Sequence, residues 1–188
     1  TLTTPTATIE ADRVIFATNG YTAENLIPWL KGRVLPAQSS VLATRPMRED
    51  ELAAQGFTSR QMSYEDRRLL HYFHLTPEGR MVFGQRGGLL SSPQNEARVS
   101  AKVRADFDAA FPAWKHVETP FHWSGMVCLT ASLTPYCGPI PGLEGAYAGF
   151  GYHGNGVAMA SYTGTILADL AQDQAPRYEL PKAFSAPP

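Results

Sequence analysis

Gly149, Gly151 and Gly154, with His153 just before the last of them, lie in the stretch YAGFGYHGNGVAMASY (residues 147–162) at the spacing GxGxxG. Glycines in this pattern act through the backbone. Without a Cβ atom the chain can approach a flat ligand closely and take up positive φ angles. If a helix starts directly after them, its unpaired N–H groups and its macrodipole present positive potential to an anionic ligand edge. The pattern therefore suits the phosphates of a dinucleotide or the anionic edge of a flat ligand. A turn that merely allows tight packing of a strand against a helix would use the same glycines.

The elements around the turn separate these readings. AYAGF reads as a strand before it, and residues 155–172 read as a helix after it. A dinucleotide fingerprint also needs a second parallel strand ending in an acidic residue about 20 positions further on. Here the helix runs into QDQAPRYEL and a Pro-rich tail that reads as extended after Pro176, so no βαβ unit is completed. Upstream, residues 6–10 and 13–18 read as strands, the second of buried type. Residues 23–30 suit a short helix, 34–45 a long strand closed by Pro46, and 49–55 a polar helix. LLHYFHL, the turn TPEGR and MVFGQR form a hairpin with alternating faces. Val99, Val103, Phe107 and Phe111 recur every four residues, which predicts a helix over 96–111 with one stripe on a core. VETPFHW and GMVCLT then return to strand, followed by the Pro/Gly corner TPYCGPIPG.

The chain has 188 residues, 44% hydrophobic and 18% charged, enough to bury a core as one domain or two small ones. Its formal net charge is -1 with both signs interspersed, which argues against a nucleic-acid partner or an anionic membrane surface. Two cysteines, Cys128 and Cys137, and no apolar run approaching the roughly 20 residues of a membrane span fit a reducing cytoplasm. The opening TLTTPTATIEADRVIFATNG drops straight into strand-like runs, which leads us to expect that the chain continues a longer polypeptide.

Taken in order, ADRVIFATNGY, LTPEGRMVFGQR, WSGMVCLTASLTPYCGPIPG and YAGFGYHGNGVAMASYTGTILADLA resemble the C-terminal half of the FAD-dependent oxidoreductases of the D-amino-acid oxidase class. The likeness is strongest to their glycine oxidase, sarcosine oxidase and gamma-glutamylputrescine oxidoreductase branch, and it covers nearly the whole chain. It implies an α/β (α+β) fold, the C-terminal portion of a two-domain FAD-binding fold whose substrate domain is a largely antiparallel sheet covered by helices. Residues 1–32 and 123–188 would belong to the FAD-binding domain and residues 33–122 to the substrate-binding domain. The missing N-terminal part of the same polypeptide would hold the ADP moiety. The isolated chain would therefore bind FAD weakly or not at all and be inactive.

The resemblance also implies roles. Gly151, Tyr152, His153, Gly154, Asn155, Gly156 and Val157 would lie against the pyrimidine end of the isoalloxazine. Gly125 and Met126 would sit near the ring, and Ala17, Thr18 and Gly20 would border the cofactor. The chemistry implied is oxidation of the C–N bond of a small-molecule amine or amino acid by hydride transfer to flavin, which requires no side-chain base. Two lysines of sarcosine-type relatives are absent: Ala158 stands where one holds the substrate carboxylate, and Val82 or its neighbours before Arg86 stand where another assists oxygen. The electron acceptor is thus open. Cys128 falls close to where the sarcosine branch attaches flavin through sulfur, although a strand cysteine is usually a plain core residue.

Tyr72 and His74 share one face of a strand, and His71 and Phe73 the other. We assign Tyr72 as the substrate contact and His71 and Phe73 as sheet packing. His153 fits a structural place in the turn better than that of a base, Cys137 reads as structural, and Trp123 as a core or interdomain aromatic. No metal site is assigned. The alternatives are a nicotinamide-binding enzyme or a noncatalytic small-molecule or peptide-binding α/β module.

Overall fold

The computed structural model describes residues 1–23, 25–67, 69–86, 88 and 93–186. They form two units, Thr1–Pro36 with Val127–Pro188, and Ala37–Met126.

The first unit opens with a small hairpin of β1 (Leu2–Thr3) and β2 (Thr8–Ile9), whose turn is closed by the Thr4 hydroxyl donating to the Ala7 carbonyl at 3.0 Å. β3 (Val14–Phe16) follows, and it belongs to a sheet completed by strands from the C-terminal part of the chain. The second unit carries β4 (Leu35–Ala43), α1 (Glu49–Gln55), β5 (Ser63–Tyr64), β6 (His71–Leu75), β7 (Met81–Arg86) and α2 (Pro93–Ala110). β8 (Phe121–Leu129) leads back to the first unit, which ends with β9 (Tyr136–Pro139), β10 (Ala146–Phe150), α3 (Gly156–Leu170) and α4 (Lys182–Ser185).

In the first unit the strand order is β3-β10-β9, with β10 parallel to β3 and antiparallel to β9. β10 is central, and both of its faces are covered. Ala146, Ala148 and Phe150 join Ile27, Leu30, Cys128, Tyr136 and Ile140 in one cluster, while Tyr147 packs with Cys137, Ile166 and Leu167 in another. The apolar run AYAGF is what a strand buried on both faces requires. The same reading fails for β3. It is an edge strand of three residues, Phe16 packs on the core, and Ile15 is exposed.

The second unit is a five-stranded sheet of order β5-β6-β7-β4-β8. β5 with β6, β6 with β7 and β7 with β4 are antiparallel, with Tyr72 opposite Gly84 and Ser39 opposite Arg86. Val103 and Phe107 of α2, with Phe111 just beyond it, bury against Leu42, Met81 and Phe83 on one face of this sheet. Trp114 closes the cluster and donates its indole N–H to the Glu51 carbonyl at 2.7 Å.

Local expectations fail in three places. Residues 23–30 do not form a helix; apart from Glu24, which lies outside the described residues, they make turns ending in a 3-10 turn at Pro28–Leu30. The two strands expected in residues 117–130 are one continuous β8. The tail expected to be extended contains α4, and its last two residues, 187 and 188, lie outside the described ones.

Candidate functional site

β3 and β10 run parallel with Phe16 opposite Ala148, so residues 17–20 and 151–155 leave the sheet at the same edge, beyond the carboxyl ends of the strands. Such an edge is where open α/β sheets bind ligands. The two segments are tied together by a side chain: the Gly151 N–H donates to Asn19 Oδ1 at 3.1 Å. Asn19 has φ 46°, a left-handed conformation that asparagine tolerates better than most residues. Ala17, Thr18, Gly20 and the segment 151–157 are thus brought together, and Asn19 is the member that sequence reasoning passed over. Its signal was an asparagine just past the strand in ADRVIFATNGY, next to Gly20.

The glycines are used as backbone. Gly151 has φ +80°, and a Cβ there would meet Thr130 Cγ2 at 2.6 Å. Gly154 has φ +101°, again outside the range of ordinary side chains. Asn155 precedes α3 without a side-chain cap, and the first helical N–H to find an intrahelical acceptor is that of Met159, on Asn155 O at 3.0 Å. The N–H groups of Gly156, Val157 and Ala158 therefore have no acceptor inside the helix. Val157 is 96% exposed, and Gly154, Asn155 and Ala158 are exposed beside it.

His153 has φ 53° and is held at both ends. Its N–H donates to the Cys128 carbonyl at 3.3 Å, and its Nε2 lies 3.1 Å from Thr130 Oγ1. The single Thr130 hydroxyl proton goes to the Thr134 carbonyl at 2.9 Å, which makes His153 Nε2 the donor by this hydrogen-bond pattern. The Tyr152 hydroxyl is hydrogen-bonded to Thr163 Oγ1 of α3 at 2.9 Å. Cys128 is buried; burial pushes its thiol pKa up, only partly offset by the Gly151 N–H. Burial also pushes the Cys137 thiol up to about 11. Both thiols are neutral near pH 7, as core cysteines are.

Gly125, Met126 and Tyr72 belong to the other unit. Gly125 and Met126 are half-buried on β8. Tyr72 lies across Gly84: a Cβ on that glycine would meet the phenol ring at 2.3 Å. Its hydroxyl is bonded to Ser39 Oγ at 2.7 Å, and burial raises its pKa, so it is a neutral phenol. His71 and Phe73 point to the opposite face and stack on Phe83, with ring centroids 4.9 and 5.9 Å away. His71 is further bonded to Glu65 at 2.8 Å and Asp106 at 3.0 Å. Trp123 is not in the core; it is 49% exposed. Among the described residues no helix is long and apolar enough to cross a membrane.

The turn fits the flavin end of FAD. It combines positive-φ glycines, exposed residues and helical N–H groups without an intrahelical acceptor, just beyond the carboxyl ends of β3 and β10. After α3 the described residues 171–186 hold turns and α4 and no strand, so the parallel strand that a nicotinamide fingerprint expects next is not among them.

Comparison with known proteins gives the family. Residues 1–170 match the family described as DAO, FAD dependent oxidoreductase. The probable oxidoreductase OrdL of Rhizobium meliloti (strain 1021) is 30% identical over 184 residues, which are 98% of this chain and 41% of that protein. The gamma-glutamylputrescine oxidoreductase of Escherichia coli (strain K12) is 29% identical over 172 residues, 91% of this chain and 39% of that protein. The crystal structure of iminodiacetate oxidase (IdaA) from Chelativorans sp. BNC1 superposes with a TM-score of 0.71 at 17% identity, over 94% of this chain and 46% of that one, a likeness of fold. The chain thus spans about two fifths of the length of these curated relatives.

Proposed function

The chain belongs to the FAD dependent oxidoreductase (DAO) family, and on that premise we propose that the protein it forms part of oxidises the C–N bond of an amine or amino acid, with hydride passing to flavin. The observation that carries this reading is the Asn19–Gly151 bridge, which fixes the glycine turn and the end of β3 at one edge of a parallel pair. FAD, when bound, supplies the acceptor for the hydride that leaves the carbon beside nitrogen.

The chain's own part is binding and electrostatic preorganisation. Residues 151–157 would line the pyrimidine edge of the ring. The unpaired N–H groups at the start of α3 favour the negative charge that develops there, with no reorganisation at the moment of reaction. Ala17, Thr18 and Gly20 would border the cofactor from the end of β3, and Gly125 and Met126 from β8. The first unit would then be the flavin-side part and the second the substrate-side part, where Tyr72, held by Ser39 and Gly84, offers a neutral hydroxyl to substrate. His153 keeps its Nε2 proton on Thr130 and shapes the turn. The lysines that the resemblance to sarcosine-type enzymes implies are replaced by Ala158 and by Val82 or its neighbours before Arg86, so the electron acceptor need not be oxygen.

The complete protein should be yellow with flavin absorbance bands; a colourless, fully folded preparation that takes up no added FAD would refute the proposal. Gly154→Val forces a branched residue into φ +101°, at about 1–3 kcal/mol of strain. FAD affinity should then fall by about ten- to a hundredfold. His153→Asn should retain flavin and its reduction by substrate. The reverse outcome, reduction lost in the histidine variant and intact in the glycine variant, would make the turn a catalytic-histidine site.

A further inference from the structure

We infer that the cavity between α2 and the β4–β8 edge of the second unit is a separate binding site, for a small protonated amine that also carries an amide or ketone oxygen. The cavity has a volume of about 340 Å³, and its lining includes Gln38 and Ser40 from β4, Glu96 and Ser100 from α2, and His122 and Trp123 from β8. Small-ligand sites occupy about 300–1,000 Å³, so there is room for such a molecule. Side chains alternate along β4: Ser39 bonds Tyr72 on one face, so Gln38 and Ser40 point to the other. The cavity therefore lies on the opposite side of the sheet from the proposed substrate contact.

The feature that asks for a ligand is Gln38. Its side chain is 1% exposed, and its Oε1 accepts from Asn95 Nδ2 at 3.3 Å. Its Nε2 is buried without a hydrogen-bond partner among the described residues. A buried donor left unmet is costly, and a ligand oxygen would satisfy it. The hydroxyls of Ser40 and Ser100 can give or take a further hydrogen bond.

The remaining lining fixes the charge of the ligand. Among the described lining residues, Glu96 is the only acidic or basic side chain other than histidine, and it is exposed. Burial pushes the His122 imidazole pKa down, so His122 is neutral at pH 7. The site thus holds net negative charge. Trp123 supplies an aromatic wall, and an ammonium group between an indole face and a carboxylate is bound by both. A carboxylate ligand would meet repulsion from Glu96, whereas an amide oxygen meets only the neutral Gln38 donor. The inference does not depend on the proposed flavin chemistry, because it concerns binding in the absence of turnover.

The probe is β-alaninamide, titrated into the intact protein while the Trp123 indole N–H resonance is followed by NMR. A saturable shift with Kd about 1 mM is expected for so small a ligand. Propanamide lacks the ammonium and propylamine lacks the amide, and each should bind at least about tenfold more weakly. Gln38→Leu should weaken β-alaninamide by about tenfold through loss of the donor. Glu96→Gln changes an exposed residue and leaves the fold intact, and it should weaken binding by about three- to tenfold. Absence of a saturable shift overturns the inference, which would mean that Gln38 is met by water alone. Equal binding of either control, or undiminished binding to Glu96→Gln, also overturns it.

Discussion

The two units solve opposite problems. In the second, side chains do the holding. Phe83 is fully buried among His71, Phe73, Phe107 and Phe111, with ring centroids 4.9 to 6.0 Å apart, and α2 lays its stripe over them. Glu51, 3% exposed, is bonded by Arg45 at 2.7 and 2.9 Å, by the Arg48 N–H at 2.9 Å and by His116 at 3.1 Å. In the first unit, the candidate site is built from backbone. Its turn carries three consecutive-region positive-φ residues, Gly151, His153 and Gly154, and one side-chain bridge from Asn19. The contrast teaches where each kind of change should be felt: truncations in the aromatic cluster cost packing, whereas changes in the turn cost conformation and ligand contact.

The strongest test of that contrast is Phe83→Ala. Removing a fully buried ring at the centre of the cluster should destabilise the protein by about 3–5 kcal/mol, read from urea unfolding. A loss below about 1 kcal/mol would mean the cluster relaxes around the gap and side-chain packing is not what holds this unit.

Acid tests the same unit through its charges. The Arg45 hydrogen bonds, the Arg48 N–H and His116 hold the Glu51 carboxyl well below its ordinary value of 4.5. The folded pKa lies below the unfolded one, so the contribution of Glu51 is fully present above about pH 5 and is lost as pH falls through 4.5 toward the folded value. The stability difference between the parent protein and Glu51→Gln should therefore be largest near neutrality and shrink steadily down to about pH 3. A difference that stays constant with pH would show that the network acts by shape and not by charge. Arg45, Glu51 and His116 should be replaced together to separate their coupling from single losses.

The parts legible in the sequence were those with a local signal. Residues 49–55 begin with three acids and end at Gly56, which takes φ +70° as a left-handed cap, and α1 spans that very range. The hairpin around TPEGR was readable because Leu75 and Met81 resume alternation on either side of it. The stripe Val99, Val103 and Phe107 identified α2, and Phe111 joins the same core from just outside the helix. What escaped carried no periodic signal. Residues 23–30 contain Pro28, and the chain prefers turns there. Trp123 reads by type as a core or interdomain aromatic, and its 49% exposure removes only the core reading. Gln38 and Asn19 are short polar words inside apolar phrases, and their importance comes from partners 57 and 132 positions away. No periodicity can announce such contacts.

The smallest expected effect is also the sharpest probe of the turn. Asn19 does two things: it takes φ 46°, and it accepts the Gly151 N–H. Asn19→Gly keeps the first and removes the second, because glycine enters the left-handed region without strain. The substitution should then cost only the net worth of one hydrogen bond, about 0.5–1.5 kcal/mol. Its local signature is exchange of the Gly151 amide hydrogen with solvent, which should speed up by about two- to tenfold relative to the parent if that bond governs local opening. Asn19→Val removes both contributions and should cost more, by about 1–3 kcal/mol of backbone strain. If the Gly151 amide exchanges equally slowly in Asn19→Gly and in the parent, the bridge is incidental. The turn would then be held from the other side, by the His153 contacts to Cys128 and Thr130, and the edge between β3 and β10 would lose the tie on which the proposed cofactor site rests.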